Sequence, residues 1–404
     1  MFDKLVASVR ASDINYGLLI PLLASSFLVQ MVTALIRVTI SYRAVELHLS
    51  IVWLGLIAAT FAIFPILIAV RIGRFIDRGH DARTTWIGSS IFLIAASGFA
   101  LWSSPGGLLV FSTVMGIGHI MLMASQQMVC VRAAGPRSLE SVFGNFMVAN
   151  SIGQGLGPYV VGWVGGSSSL PPTGLLFTIG AGAAAVGLVV ALMLRPSRKA
   201  AAEATAGAVV PVSQILRVPG LVPVILAGVV LVSSSDVIIV YIPLLGAERR
   251  IDVHDIGLLL TVRAAASMLA RLFYSRLVAA CGRWPLMVAS TFVCGLTYAV
   301  IAVPLPLWAM HAAIAAMGFS FGLATTLSIT IVVDMTTANA RGTSNSLRIM
   351  SNRIGQFAMP FGAGLIAAAA GLAGLFLVLA ASILAAAGAM IWKRPASARD
   401  PGDP

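Results

Sequence analysis

The chain has 404 residues, of which 59% are hydrophobic and only 10% charged, and its formal net charge is +12. Soluble domains carry about 25% charged residues, so this composition excludes a water-soluble fold and indicates that lipid surrounds most of the chain. The basic residues stand in short loops without interleaved aromatic residues. This pattern argues against nucleic acid as a partner and fits anionic lipid headgroups.

The chain begins with a polar, amphipathic segment in which we expect no cleavable signal peptide. Twelve apolar runs follow, each close to the roughly 20 residues that cross a bilayer as a helix. In chain order they cover about 17–40, 51–72, 84–103, 106–130, 141–165, 174–194, 219–241, 254–278, 284–303, 306–332, 342–368 and 370–391. Only Gly371 and Gly374 mark a turn between the last two runs.

The basic residues predict the orientation of these spans. Only Arg43, Arg249 and Arg250 of the 26 Lys and Arg residues fall in odd-numbered connections. Four arginines fall well inside the runs, namely Arg37, Arg263, Arg348 and Arg353. The others lie in even-numbered connections, at the helix ends beside those connections or near the termini, so the positive-inside rule predicts that both termini are cytoplasmic.

The two halves of the chain carry an internal repeat. Residues 150–162 read NSIGQGLGPYVVG and residues 352–364 read NRIGQFAMPFGAG, a separation of 202 residues. The same separation pairs Pro21 with Pro223 and Met115-Gly116 with Met317-Gly318. Six spans per repeat give parallel halves related by an axis along the membrane normal. We therefore predict an all-α integral membrane fold of twelve transmembrane helices in two pseudo-symmetric six-helix bundles.

The longest connection, residues 195–218, is rich in Ala and basic residues and divides the chain in two. We predict an N-terminal six-helix bundle over 1–195, a cytoplasmic linker over 196–217 and a C-terminal six-helix bundle over 218–404.

The loop after the second run reads GRFIDRGHDAR, and it resembles the cytoplasmic signature of the major facilitator superfamily. Gly73, Asp77, Arg78 and Arg83 match that signature. The resemblance implies that Asp77 approaches the start of span eleven, near Arg341, and acts as a latch of the cytoplasmic gate. The alternative is that Asp77 only anchors the loop.

The fifth run carries a second family pattern. Gly144, Gly153, Gly157-Pro158 and Gly162 follow a spacing similar to the motif of the family's antiporters, which are mainly bacterial drug efflux proteins. Pro360 repeats the proline in span eleven. Glycine lets helix backbones approach closely and proline bends a helix, so we expect these residues to control how the halves pack and rock.

Polar side chains inside spans are costly and face a cavity or a partner. Gln30, Thr33 and Arg37 share one face of span one, and His119 and Gln126 share one face of span four. The resemblance implies that spans one, four, seven and ten line a central cavity, which makes these residues candidates for substrate contact. Imidazole titrates near neutral pH, so His119 is either a proton relay or a hydrogen-bonding cavity residue.

Asp236 is the acid that lies well inside a span, and position 239, the equivalent of Arg37, is one helical turn away. Asp236 is either a proton or substrate-cation site modulated by Arg37, or part of a buried ion pair or outer gate that has no coupling role. Removing either partner of such a pair would leave an uncompensated charge. Arg263 could attract an anionic substrate, or it could snorkel to a helix end.

These features favour a secondary active transporter of small organic molecules that works by alternating access, with proton-coupled efflux of a drug-like compound or metabolite as the leading hypothesis. The alternative is proton-coupled uptake of an organic anion, since span four lacks the arginine of many drug antiporters while four arginines lie inside spans. A membrane-embedded enzyme is a further alternative, but the five histidines are scattered singly.

We expect no cofactor and no metal site, because the chain has no Gly-x4-Gly-Lys-Ser/Thr motif and its three cysteines match no metal spacing. The resemblance implies a monomer in the inner membrane of a bacterium.

Overall fold

The computed structural model describes residues 14–135, 138–194, 217–218, 220–336 and 341–393. Its helices in chain order are α1 Tyr16–Glu46, α2 Ile51–Phe75, α3 Asp81–Leu101, α4 Pro105–Ala133, α5 Leu139–Gly165, α6 Thr173–Leu192, α7 Leu221–Arg249, α8 Val253–Cys281, α9 Arg283–Ala302, α10 Leu307–Asp334 and α11 Arg341–Trp392. A short bent segment, Ile76–His80, joins α2 to α3, with Gly79 in the left-handed region at φ 81° and ψ 18°. The described helices match the predicted runs in number of crossings and in order.

The last helix supplies two crossings. Its 52 residues would extend about 78 Å as one straight helix, far more than the roughly 30 Å hydrocarbon core of a bilayer. Gly371 breaks it with φ 72° and ψ 178°, a backbone conformation that is essentially confined to glycine. The two arms are called α11a (341–370) and α11b (372–392), and the break confirms the turn predicted at this glycine.

Ten helices among the described residues are long and apolar enough to cross a membrane. Helix α5 is not among them, because Asn145, Asn150 and Gln154 lower its apolar character. Its length of 27 residues and its packing between α1 and α8 nevertheless make it a full member of the bundle. With α5 and the second arm of α11, the protein has the predicted twelve crossings in two six-helix bundles.

The bundles meet at two crossings that repeat the same contact. A Cβ atom on Gly257 of α8 would lie 2.5 Å from the Pro158 carbonyl oxygen of α5 and 2.7 Å from Gly162 Cα. At the other crossing, a Cβ atom on Gly55 of α2 would lie 2.7 Å from the carbonyl oxygen of Pro360 in α11a. Gly55 and Pro360 stand 202 residues from Gly257 and Pro158, so the internal repeat places one glycine contact on each side of the interface.

The helices of the two bundles end on two opposite faces. The near face is the end at which α1 begins, and the far face is the end at which α1 ends. Two loop hydrogen bonds link the bundles on the far face, from the Val253 amide to the Ser168 carbonyl (3.1 Å) and from the His254 amide to the Gly166 carbonyl (3.0 Å). Together with the glycine crossings, these contacts close the far face of the interface.

Two of the arginines on the far face cap helix ends. Arg43 Nε donates to the carbonyl of Ser103, just beyond α3, at 3.1 Å. Arg249 donates to the carbonyls of Ile301, Ala302 and Val303 at the end of α9, at 3.1 to 3.2 Å. The last carbonyls of a helix have no partner within the helix and carry partial negative charge, so the two basic residues stabilise matching helix ends in the two halves.

The predicted linker over 196–217 falls almost wholly on residues outside the described ranges. The boundaries 1–195 and 218–404 therefore stay predictions.

Candidate functional site

An ion pair joins the two halves at the centre of their interface. Arg37 Nη1 of α1 lies 2.6 Å from Asp236 Oδ1 of α7, and Arg37 Nη2 donates to the Asp236 carbonyl at 3.4 Å. The side chains are 11% and 17% exposed, respectively. The contact anticipated from their nearly equivalent positions is therefore present, and it ties α1 to α7 across the pseudo-symmetry axis.

An aromatic ring that sequence reasoning missed supports this pair. The Arg37 guanidinium stands 5.4 Å from the centroid of the Phe61 ring of α2, within the range of a cation–π contact. The His119 ring of α4 packs on the same phenyl ring, with centroids 5.3 Å apart. Phe61 thus connects two of the predicted site residues, and its position 202 residues before Arg263 was the signal that could have revealed it.

The backbones of Phe61 and Arg263 make equivalent close contacts with glycines in the two halves. Gly116 of α4 lies against the Phe61 carbonyl, and Gly318 of α10 lies against the Arg263 carbonyl, too closely for any side-chain carbon at either glycine. The Met-Gly pairs of the repeat therefore set two equivalent helix crossings. One crossing presents a phenyl ring to the site and the other presents a guanidinium.

Two further arginines lie within electrostatic range of the same carboxylate. Arg263 Nη1 donates to Ser235 Oγ at 2.9 Å, and its side chain is buried. Arg353 Nη1 of α11a donates to Gln356 Oε1 at 3.0 Å. Asp236 lies within electrostatic range of both guanidinium groups. The site, called here the arginine cluster (Arg37, Arg263, Arg353 and Asp236), thus has three positive charges against one negative charge.

The arginine cluster retains hydrogen-bonding capacity. Within the described residues, Arg263 Nε and His119 Nε2 are buried without a hydrogen-bond partner. His119 is also within electrostatic range of Arg37 and Arg353. Buried polar atoms normally have partners, so the unpaired Arg263 Nε donor in this positively charged centre is suited to a ligand that supplies an acceptor atom.

The glutamines predicted to contact substrate lie toward the near face from the cluster and join α1 to α4. Gln30 Nε2 lies 3.2 Å from Met123 Sδ, and Gln126 Nε2 donates to Ser25 Oγ at 3.0 Å. Gln126 Oε1 has no partner among the described residues. Thr33 instead donates to the Val29 carbonyl of its own helix at 2.7 Å, so its hydroxyl hydrogen is used within α1.

The structure describes the side chains of only some of the predicted gate residues. The side chains of Asp77 and Arg341 lie outside the described portion of the structure, so the latch stays a prediction. Arg78 and Arg83 are exposed, and Gly73 has no neighbour within 4 Å of the point where a Cβ atom would stand.

The same loop also contains a buried acid that was not predicted as a gate residue. Asp81, at the start of α3, is fully buried and forms an ion pair with Arg132 at the end of α4. The second half carries a matching pair, Arg283 with Asp334. Both residues of each pair are separated by 202 from their counterparts, which was the available signal.

The glycine pattern of α5 contacts two different helices. Gly153 and Gly157 lie against the backbone of α1, where a Cβ atom on Gly157 would stand 2.5 Å from the Met31 carbonyl oxygen. Gly162 and Pro158 form the crossing with Gly257 of α8. Gly144 faces open space, so close packing accounts for the later members of the pattern and not for this one.

Comparisons with known proteins agree with this architecture. The crystal structure of the nucleoside transporter NupG superposes with a TM-score of 0.74 at 15% identity, covering 93% of this chain and 98% of that one. A D-xylose-proton symporter gives 0.78 at 14% identity, covering 94% and 98%. A bacterial homolog of the human lysosomal transporter Spinster, in an inward-facing and occupied conformation, gives 0.76 at 16% identity, covering 95% and 98%.

None of the curated proteins matches the chain by sequence. The sequence profile of the Major Facilitator Superfamily, by contrast, matches residues 22–249 and again residues 224–404. The two matches together span nearly the whole chain, and each covers one half of the repeat. The chain belongs to the Major Facilitator Superfamily, and it is a multi-pass membrane transporter of small molecules rather than an enzyme.

Proposed function

We propose that the protein is a proton-coupled secondary transporter that moves a small organic anion and a proton in the same direction. The observation that carries this proposal is the Arg37–Asp236 pair, set beside Arg263 and Arg353 in a buried, positively charged site. A buried excess of positive charge is unfavourable unless a counter-charge is supplied. An anionic substrate supplies it.

The ion pair offers a route for coupling. When Asp236 is charged, its carboxylate pairs with the Arg37 guanidinium, with 2.6 Å between Oδ1 and Nη1. A proton on Asp236 would neutralise the carboxylate and leave the guanidinium without its anionic partner. An organic anion could then bind to Arg37 in place of Asp236, so protonation and anion binding favour each other. When the anion leaves, Asp236 loses its proton and pairs again with Arg37.

The orientation that we propose places the near face in the cytoplasm. Arg71, Arg74, Arg78 and Arg83 stand at the near-face ends of α2 and α3, whereas Arg43 and Arg249 on the far face are engaged with helix ends. The positive-inside rule favours this assignment. The closed far face then supports a conformation sealed toward the outside, one end state of an alternating-access cycle.

Export by proton antiport is the second candidate, and it is favoured by the glycine pattern of α5. Gly157, Pro158 and Gly162 make the close contacts that this pattern requires, and the pattern resembles that of efflux members of the family. In this candidate a proton and a cationic or neutral substrate would compete for Asp236. Residence in a bacterial inner membrane, a monomeric state and the Asp77–Arg341 latch are further predictions of the same proposal.

A substrate screen in membrane vesicles with an imposed pH gradient tests the two candidates together. Inside-out vesicles would receive labelled organic anions, neutral compounds and organic cations, with the lumen made either acidic or alkaline. Symport of an anion predicts that accumulation requires an alkaline lumen and an acidic exterior. Accumulation of cationic or neutral compounds driven by an acidic lumen would contradict it and support export, and vesicles without the protein control for passive entry of weak acids.

A further inference from the structure

The lipid-facing wall of the second half contains a groove between α8, α9 and α10. Its volume is about 520 Å³, within the roughly 300–1,000 Å³ typical of small-molecule sites. Its lining is almost wholly apolar and dominated by small residues, including Ala266 of α8, Ala289 of α9 and Ala316 of α10. The groove lies apart from the arginine cluster.

The groove opens toward the bilayer at mid-membrane depth. Leu269 and Val293 on its lining are 46% and 40% exposed, although they stand near the middle of α8 and α9. Apolar side chains exposed at mid-span contact acyl chains, because the hydrocarbon core holds no water. A ligand therefore enters the groove from lipid and not from solvent.

The corresponding wall of the first half is built from larger side chains. At the positions 202 residues earlier, Ala266, Ala289 and Ala316 are replaced by Phe64, Ile87 and Val114. The groove is therefore not a general consequence of the fold, since the same helices of the first half carry bulkier residues where the second half carries alanine.

A second difference concerns how closely the helices approach. Gly88 of α3 and Gly118 of α4 lie backbone to backbone, with a Cβ atom on Gly118 only 3.0 Å from the Gly88 carbonyl oxygen. Their counterparts in the second half are Ser290 and Ser320, both of which line the groove. Serine side chains at these positions prevent the close approach that the glycines allow.

The two serines are also unpaired. They are 5% and 6% exposed, and neither makes a hydrogen bond to any residue in the described ranges. Their neighbours Thr291 and Thr325, by contrast, donate to carbonyls of the preceding turn at 2.8 and 2.7 Å. A hydroxyl group in an apolar setting is unfavourable without a partner, and Ser290 and Ser320 line the groove, so a ligand in the groove can supply that partner.

We propose that this groove is a binding site for a neutral, membrane-dissolved small molecule that has an apolar body and one hydroxyl or carbonyl group. The apolar lining excludes a charged ligand, and the two hydroxyl groups distinguish the site from one for an acyl chain. The acyl chain of a lipid carries its polar atoms at the interface and has none at the depth of Ser290 and Ser320.

Photolabelling of the reconstituted protein tests this site. The probe is an aliphatic ketone with its carbonyl at mid-chain and a diazirine beside it, and the matched control probe is the corresponding hydrocarbon. Labelled peptides are quantified by mass spectrometry. We expect saturable labelling of the α8–α10 wall that excess unlabelled ketone suppresses, with the ketone preferred over the hydrocarbon about fivefold, as one net hydrogen bond would give.

Two double variants test the volume of the groove and its hydroxyl groups separately. Ala289→Ile with Ala316→Val installs side chains like those of the first half and should abolish the saturable labelling. Ser290→Ala with Ser320→Ala keeps the groove and should remove only the preference for the ketone. The α2–α4 wall of the same molecule is the internal control. The proposal fails if labelling of the two walls is equal and non-saturable, or if the hydrocarbon labels the groove as well as the ketone does.

Discussion

Arg132 and Asp334 occupy equivalent positions of the two halves, and each closes an ion pair on the near face with the charges reversed. Arg132 pairs with Asp81, while Asp334 pairs with Arg283. The first pair is buried, with its side chains 13% and 1% exposed, whereas those of the second are about half exposed, at 51% and 48%. The repeat therefore keeps an ion pair at this position in both halves. The acid and the base change places between the halves, and the pair is buried in one half and exposed in the other.

This difference in burial predicts unequal costs for breaking the two pairs. Asp81→Asn leaves a positive charge at Arg132 with less compensation in a buried setting and should lower the free energy of unfolding by about 3 kcal/mol or more. Asp334→Asn, the matched control, should cost only about 0–1 kcal/mol because water screens the exposed pair. Thermal unfolding in detergent measures both, and similar losses for the two variants would contradict the burial argument.

Reversing the buried pair tests whether its polarity matters. Asp81→Arg combined with Arg132→Asp recreates the polarity that Arg283 and Asp334 already have, so it should recover most of the stability that either single reversal loses. Recovery should be incomplete, since an acid at the start of α3 favours the helix N-terminus by about 0.3–1 kcal/mol. A double variant no more stable than the worse single variant would show that the pair does not act as a unit.

The Arg37–Asp236 pair predicts two separable defects in transport. Asp236→Asn should abolish transport driven by a pH gradient while the substrate still binds, because the amide cannot carry the proton. Arg37→Gln should weaken anion binding roughly 10- to 100-fold, the value of a charge-assisted hydrogen bond, and leave neutral ligands unaffected. Arg43→Gln is the control on the same helix, since Arg43 caps α3 away from the cluster. A uniform loss for all ligands would indicate a structural pair.

The glycine crossings predict where a single methyl group disturbs the interface of the halves. Gly257→Ala forces a carbon against the Pro158 carbonyl and should cost about 1–3 kcal/mol through overpacking. Gly55→Ala at the symmetric crossing should cost a similar amount. Gly144→Ala is the control, because that position faces open space and alanine favours a helix over glycine. Unfolding midpoints that fall equally for all three would refute the packing assignment.

The backbone conformation of Gly371 predicts that a substitution at this one position lowers stability. Its φ of 72° and ψ of 178° are strained for any residue with a Cβ atom, so Gly371→Ala should lower stability by about 1–3 kcal/mol. Gly388→Ala, in the same helix with no neighbour within 4 Å, should raise stability by about 0.5–1 kcal/mol. Thermal unfolding of the two variants should therefore shift in opposite directions. An unchanged stability of Gly371→Ala would mean that the break between α11a and α11b does not require this backbone conformation.

Hydrophobic run length and the repeat were sufficient to predict the crossings and the meeting of Arg37 with Asp236, because both depend on spacing along helices. Phe61 and Asp81 were not predicted as site or gate residues, since their partners lie on other helices and the contact depends on how each helix is rotated. The groove at Ser290 and Ser320 was equally hidden, because it arises from a difference between two halves that the repeat makes look alike. The separation of 202 residues linked Phe61, Asp81 and the two serines to their counterparts in the other half once the contacts were known.

In the proposed mechanism, an organic anion and a proton cross the membrane together through exchange at Arg37 and Asp236. The most direct measurement adds a transported anion outside proteoliposomes that contain a pH-sensitive dye, with no imposed gradient. This mechanism predicts acidification of the lumen with the wild-type protein and none with Asp236→Asn or in protein-free liposomes. Alkalinisation of the lumen, or anion entry without proton movement, would contradict it.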